Sequence, residues 1–151
     1  MQSQKNNIIS MLKGNGYSVR ENNIPGDEFR IFASPPGINA ETLEVFMIKG
    51  SSTICCGSGI ILGGSQREKF FNQSEEKRNY LKENLKKIDA TKSLDFFDVS
   101  DDGENFTVTM RCEFELSRDV GEDFENCINM INFAGYKVEE TWDKFFDELS
   151  M

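Results

Sequence analysis

Residues 106–149 change hydrophobic period once, abruptly, and that change constrains the fold more than any other feature of the chain. Phe106, Val108, Met110, Cys112, Phe114 and Leu116 stand at every second position, with Thr107, Thr109, Arg111, Glu113 and Glu115 between them. A period of two sends the apolar groups to one side of a strand and the polar groups to the other. From Phe124 onward the apolar positions recur at spacings of four and three, through Ile128, Ile131, Gly135, Val138, Trp142, Phe145 and Leu149. That is one stripe of an amphipathic helix. The two stripes need a shared core, so the segment predicts a helix packed on an antiparallel sheet whose other face is half exposed. Gly135 either breaks this helix or lets another backbone come close. A continuous helix would carry a longer stripe than a small sheet covers, and its uncovered end would suit a second subunit.

The rest of the chain supplies the other strands. Residues 4–14 read as a short helix with Ser3 as its N-cap, ended by Gly14 and Gly16. Extended structure begins at Tyr17. Phe29, Ile31 and Ala33 alternate with Arg30 and Phe32 in a strand stopped by Pro35-Pro36-Gly37. Leu43, Val45 and Met47 oppose Glu44, Phe46 and Ile48 in the next, which turns through Gly50. Residues 53–62 are nearly all apolar or small, as suits a central strand, and Gly63-Gly64 ends it. One middle helix is expected from Ser65 or Gln66 to Ile88, with Phe70, Phe71, Lys77, Leu81, Leu85 and Ile88 near one face. Residues 94–99 form a fourth strand, residues 100–104 turn into the strand that starts at Phe106, and residues 117–122 cap the last helix. The order α-β-β-β-α-β-β-α with short connections describes one α+β domain over residues 1–151, two-layered, with an antiparallel sheet of about five strands packed with helices.

Charge and cysteine usage narrow the function classes. The acidic excess behind the net charge of –9 lies wholly in residues 93–151, which hold 16 acidic and four basic groups, while the rest of the chain is net basic. Such a balance disfavours nonspecific binding to nucleic acid or an anionic membrane. No apolar stretch resembles a membrane span or signal peptide, so a cytoplasmic location is expected. There are no histidines, and the four cysteines form no CxxC pair. A zinc site is not expected; the thiols read as small buried hydrophobes, with Cys55 and Cys56 pointing to opposite faces of their strand. No metal or cofactor is expected.

Two glycine- and acid-rich stretches invite chemistry. Gly57, Gly59, Gly63 and Gly64 resemble a phosphate loop, but the chain has Gly-Ser-Gln where such a loop has Gly-Lys-Ser/Thr, and Ile60 to Leu62 carry the strand on past Gly59. Glycines that thin a central strand or permit a bulge explain the pattern better. Asp98, Ser100, Asp102 and Gly103 begin like a calcium loop, but the twelfth position is Thr109 inside a strand, so a hairpin turn is the reading. Without histidine, acid–base work would fall to carboxylates, and the obvious pairs (Glu75/Glu76, Asp101/Asp102, Glu122/Asp123, Glu139/Glu140) sit on solvated turns and helix faces. Lys82, Lys86 and Lys87 make a small basic patch that intrachain carboxylates can satisfy. No catalytic residues are assigned.

Several segments taken together resemble a known family. They are Ile8 and Leu12 before Gly16-Tyr17 and Val19; Glu28-Phe29 leading to Pro35-Pro36-Gly37; Val45 before Lys49-Gly50; Gly57, Gly59-Ile60 and Leu62; Arg78, Leu81 and Leu85; and the acidic, apolar final helix. Over nearly its whole length the chain is similar to the mostly archaeal group called domain of unknown function 2299. The resemblance implies a fold like that of the type III secretion chaperones, with the same element order. The family has no established activity, so it lends no catalytic residues, and the Cys55-Cys56 pair is a departure that touches no known site. The expectation is a non-enzymatic, chaperone-like module that binds a protein or peptide as a homodimer. The alternative is an enzyme or small-ligand binder using Gly57, Gly59, Gly63 and Gly64 with Cys56, Ser58 or Ser65. A third reading makes the acidic last third a docking face for a basic partner.

Overall fold

Helix α1 (Gln2–Gly14) buries Ile8 and Leu12 and ends at a glycine. Gly16 takes φ +87°, its N–H donates to the Lys13 carbonyl, and the Tyr17 N–H reaches back to Leu12. This is a Schellman stop, which only a residue tolerant of positive φ makes cheaply. Ser3 lies inside the helix instead of capping it, and its hydroxyl donates to the Gln4 side chain. The structure, a computed structural model, describes residues 2–35, 42–90, 94–117 and 120–149. The expected turn at Pro36-Gly37 and residues 118–119 of the last cap lie outside the described residues.

The strands are β1 (Ser18–Glu21), β2 (Asp27–Ser34), β3 (Leu43–Ile48), β4 (Thr53–Ile61), β5 (Phe96–Asp101) and β6 (Phe106–Glu115). They make one antiparallel sheet in the order β1-β2-β3-β4-β6-β5. The sheet has six strands where about five were expected, because the extended start at Tyr17 pairs fully with the far end of β2. β4 is interior, as its composition predicts. The β3–β4 hairpin turns at Gly50 with φ +85°, and the β5–β6 hairpin at Gly103 with φ +88°. In the second turn the Asp102 carboxylate accepts N–H bonds from Glu104 and Asn105, so the acidic run is turn chemistry. β5 begins two residues later than expected. The Asp95 side chain accepts the Glu113 N–H, and regular pairing starts at Phe96 opposite Arg111.

The middle helix is two helices, α2 (Gly64–Phe71) and α3 (Glu75–Ala90). A single helix was expected because the apolar stripe runs across the break. Asn72 caps α2, and the Ser74 hydroxyl accepts the Lys77 N–H to start α3, with Glu75 and Glu76 favourably placed at its positive end. Lys77 is consequently exposed, whereas Phe70, Leu81, Leu85 and Ile88 are buried. Lys82 pairs with Asp101 at 3.3 Å, so the small basic patch is partly neutralised within the chain.

Helix α4 (Gly121–Leu149) runs unbroken for 29 residues, about 43 Å, with Gly135 buried in its middle. It joins two clusters of buried side chains. The first collects Ile8, Leu12, Phe29, Ile31, Val45, Ile54, Phe124 and Ile131; the second collects Phe70, Leu81, Leu85, Phe106, Val108, Val138, Trp142 and Phe145. The stripe is covered through Phe146, and Leu149 packs against the second cluster, so no uncovered apolar end projects from the helix. No helix among the described residues is long and apolar enough to cross a membrane.

Candidate functional site on the open sheet face

The residues of both clusters come from one side of the sheet. Along β2 the buried apolar positions are Phe29, Ile31 and Ala33; along β4 the buried positions are Ile54, Cys56, Ser58 and Ile60. Among the described residues, the helices pack on this side alone. Strand alternation then delivers the remaining side chains to a second face with no helix on it. A solvated face of this kind is ordinarily polar. Here Phe32, Phe46, Ile48, Ile61 and Phe96 stand among polar groups such as Arg30, Glu44, Asp98, Thr109, Arg111 and Glu113, with Ile48 and Ile61, at opposite ends of the sheet, 52% and 66% exposed.

A groove of about 390 Å³ crosses the middle of that face. Gly57 and Gly59 form its floor, Phe32, Glu44, Phe46 and Arg30 one wall, and Thr109 and Arg111 the other. Neither floor glycine has positive φ, so the backbone does not demand glycine there. A Cβ at position 57 would lie 3.4 Å from the Met110 carbonyl oxygen, an ordinary contact. The physical effect of these glycines is the missing side chains themselves, which leave the floor empty.

Three guanidiniums lie over rings on this face: Arg20 over Phe32 at 5.3 Å, Arg30 over Phe46 at 4.3 Å and Arg111 over Phe96 at 5.0 Å. Arg30 is also held by the Asp27 carboxylate through bonds of 2.7 and 3.2 Å, and it pairs with Glu44. That pairing with Arg30, helped by the Ile24 N–H and opposed by burial, holds the Asp27 carboxyl below the usual carboxylate range. A depressed carboxyl contributes stability that is present above its unfolded pKa and is lost as pH falls through the folded one. Wild type should therefore lose more thermal stability than Arg30→Met between pH 6 and pH 3, as melts at both values would register; equal losses would count against the pairing.

The glycines singled out from sequence do not converge. Gly57 and Gly59 floor the groove, while Gly63 and Gly64 turn the chain from β4 into α2, Gly64 with φ +59°. Cys56 and Ser58 face the helix side, Ser58 donating to the Thr42 carbonyl, and Ser65 is exposed in the first turn of α2. The residues that do shape the groove, Arg30, Phe32, Glu44, Phe46 and Arg111, stand out in the sequence only as the outward members of alternating strands. The signal that marks them is the presence of Phe32, Phe46 and Ile48 at positions that a solvated strand fills with polar groups.

Three of the four thiols meet in the core. Cys56 and Cys112 are directly opposite in the β4–β6 ladder, and Cys127 descends on them from α4. A hydrogen bond with Cys127, then burial, pushes the Cys112 thiol far above its ordinary range. At Cys127 the bond with Cys112 favours the thiolate, but the bond with Cys56 and burial outweigh it and push the thiol up to about 12. Among the described residues no group of three or more His, Cys, Asp or Glu is arranged to hold a metal ion. Cys55 points to the open face beside Glu113, and burial and that carboxylate raise its pKa. Thiolate is the reactive form. In the native protein diluted below its self-association, iodoacetamide at mildly alkaline pH should label Cys55 alone, and after unfolding all four, as intact-mass spectra would record; native labelling at Cys127 would contradict this arrangement.

No family model matches the chain, and no curated relative matches it. Among solved structures, a crystal structure of an uncharacterized protein from Methanothermobacter thermautotrophicus has a similar fold. It superposes with a TM-score of 0.77 over 93% of this chain and 96% of that one, at 13% identity. At that identity the likeness is one of fold, and it extends over the whole α+β arrangement.

Proposed function

We propose that this chain is a non-enzymatic protein-binding module that works as a homodimer and binds protein surface through its helix-free sheet face. The observation that carries this reading is the apolar and glycine content of a face that strand alternation assigns to solvent. Large exposed apolar patches on soluble domains mark interaction sites. The secretion-chaperone-like order of elements, the resemblance to the domain of unknown function 2299 family and a cytoplasmic location are consistent with such a module. The test is sedimentation equilibrium joined to amide chemical-shift mapping. A mass of twice 17.2 kDa is expected, with concentration-dependent shifts at Phe32, Phe46, Gly57, Gly59 and Arg111. A monomer at every concentration would end the reading.

One observation favours a second reading. The groove volume of about 390 Å³ falls within the range of small-ligand sites, roughly 300–1,000 Å³. A metabolite at a hundred times its Kd should stabilise the protein by about 2.7 kcal/mol. A thermal-shift screen with a hit that Gly57→Phe abolishes would replace the protein-binding reading with a ligand-binding one.

A further inference from the structure

One ladder row crosses the open face at the groove, and its side chains read, strand by strand, Arg20, Phe32, Glu44, Gly57, Arg111 and Phe96. The row is built around an empty centre. Glu44 stands one strand to one side of Gly57 and Arg111 one strand to the other; Phe32 and Phe96 stand two strands away on either side. Opposite charges thus flank the centre, each also paired within its own chain (Glu44 with Arg30, Arg111 with Glu113 at 3.8 Å), and aromatic rings flank the charges, with Arg20 beyond Phe32 at one end.

We infer that the open face takes a second copy of this chain, related by a two-fold axis that runs along β4 past Gly57. This inference rests on the homodimer reading above and specifies its interface. A two-fold interface brings the same patch of both subunits together, so it must be self-complementary. Rotation about an axis parallel to β4 exchanges the two sides of the row. Glu44 of each copy then faces Arg111 of the other, Phe32 faces Phe96, and Gly57 faces Gly57. An axis laid along the row instead would set Glu44 against Glu44 and Arg111 against Arg111, and like charges in apposition cost several kcal/mol. Charge therefore selects one orientation. The glycine floors let the two sheets close at the axis, and the long side chains of Arg111 and Glu44 reach across both grooves.

The size is adequate. Six strands about 4.8 Å apart and roughly 20 Å long present a face near 500–600 Å² in projection. Its accessible area is larger, approaching the about 800 Å² per partner of a specific interface. The same axis places Cys55, two residues from Gly57 on β4 and on the same face, opposite its own copy.

Charge inversion tests the geometry. Glu44→Arg and Arg111→Glu should each weaken self-association at least about 100-fold, with circular dichroism melts confirming that both variants fold. Mixing the two variants should restore association as a heterodimer, because every facing pair is then opposite in sign. A short bismaleimide should give a covalent dimer from wild type and none from Cys55→Ser. If wild type is dimeric but neither inversion weakens it, or if the mixture stays monomeric, this interface is overturned while the homodimer reading stands. A wild type that is monomeric throughout overturns both.

Discussion

Phe106→Ala is expected to cost about 3–5 kcal/mol. Phe106 is fully buried at the first residue of β6, its ring centroid 4.6 Å from that of Phe70 and 6.0 Å from that of Trp142. Phe70 in turn lies against Phe71 and Phe145. One ring thus ties a strand to α2 and to the C-terminal half of α4. Its removal leaves a cavity between elements that belong to different layers, so no single shift of a helix can fill it. Total stabilities of domains are about 5–15 kcal/mol, and at this chain length the melting temperature should fall by roughly 10 °C. Phe106→Leu, which retains most of the volume, should cost much less. Denaturant titrations give both numbers. A loss under about 1 kcal/mol for the alanine variant would show that the ring is not the junction of the second cluster.

Ala134→Pro should be comparably damaging for a different reason. Proline in a helix interior removes one backbone hydrogen bond and clashes with the preceding turn, at about 3 kcal/mol or more. Ala134 is fully buried near the middle of α4. N-terminal to it, Phe124, Cys127 and Ile131 serve the first cluster; C-terminal to it, Val138, Trp142, Phe145 and Phe146 serve the second. A kink at this point separates the two halves of the core. The expected result is a large loss of stability and the end of a single cooperative transition, with Trp142 fluorescence and far-ultraviolet dichroism melting apart. Ala134→Gly should cost only about 1 kcal/mol in backbone entropy. A proline variant that melts like wild type would mean that the helix is already interrupted at Gly135.

Much of the architecture was legible because the inner faces obey one rule. Phe29, Ile31 and Ala33 in β2, Leu43, Val45 and Met47 in β3, and Phe106, Val108, Met110 and Cys112 in β6 are buried at the alternate positions their spacing predicts. Phe124, Ile131, Gly135, Val138, Trp142 and Phe145 of the α4 stripe are buried on the same grounds, with Ile128 and Leu149 half-buried. The failures have local causes. A stripe of Phe70, Leu81 and Leu85 in register across Asn72 and Ser74 concealed a helix break that the Ser74 cap and its two following glutamates signalled. The short β1 lacks an alternating apolar pattern; its place comes from pairing with β2. Alternation also hid the groove. It assigned Phe32, Phe46 and Ile48 to the outer face, but only the strand order places them beside Gly57 and Arg111. Spacing along one strand carries no information about neighbours on another. The same limit applies to the thiols, since Cys56, Cys112 and Cys127 come from three separate elements.

The role of the open face is tested most directly by hydroxyl-radical footprinting of wild type at concentrations above and below its association. Phe32, Phe46, Ile48 and Phe96 should be oxidised readily when dilute and protected when concentrated. Tyr80 and Tyr136, 58% and 62% exposed on the helix side of the molecule, should be oxidised equally at both. Protection at Tyr80 or Tyr136, with the four sheet residues unchanged, would contradict the account and move the binding surface to the helices.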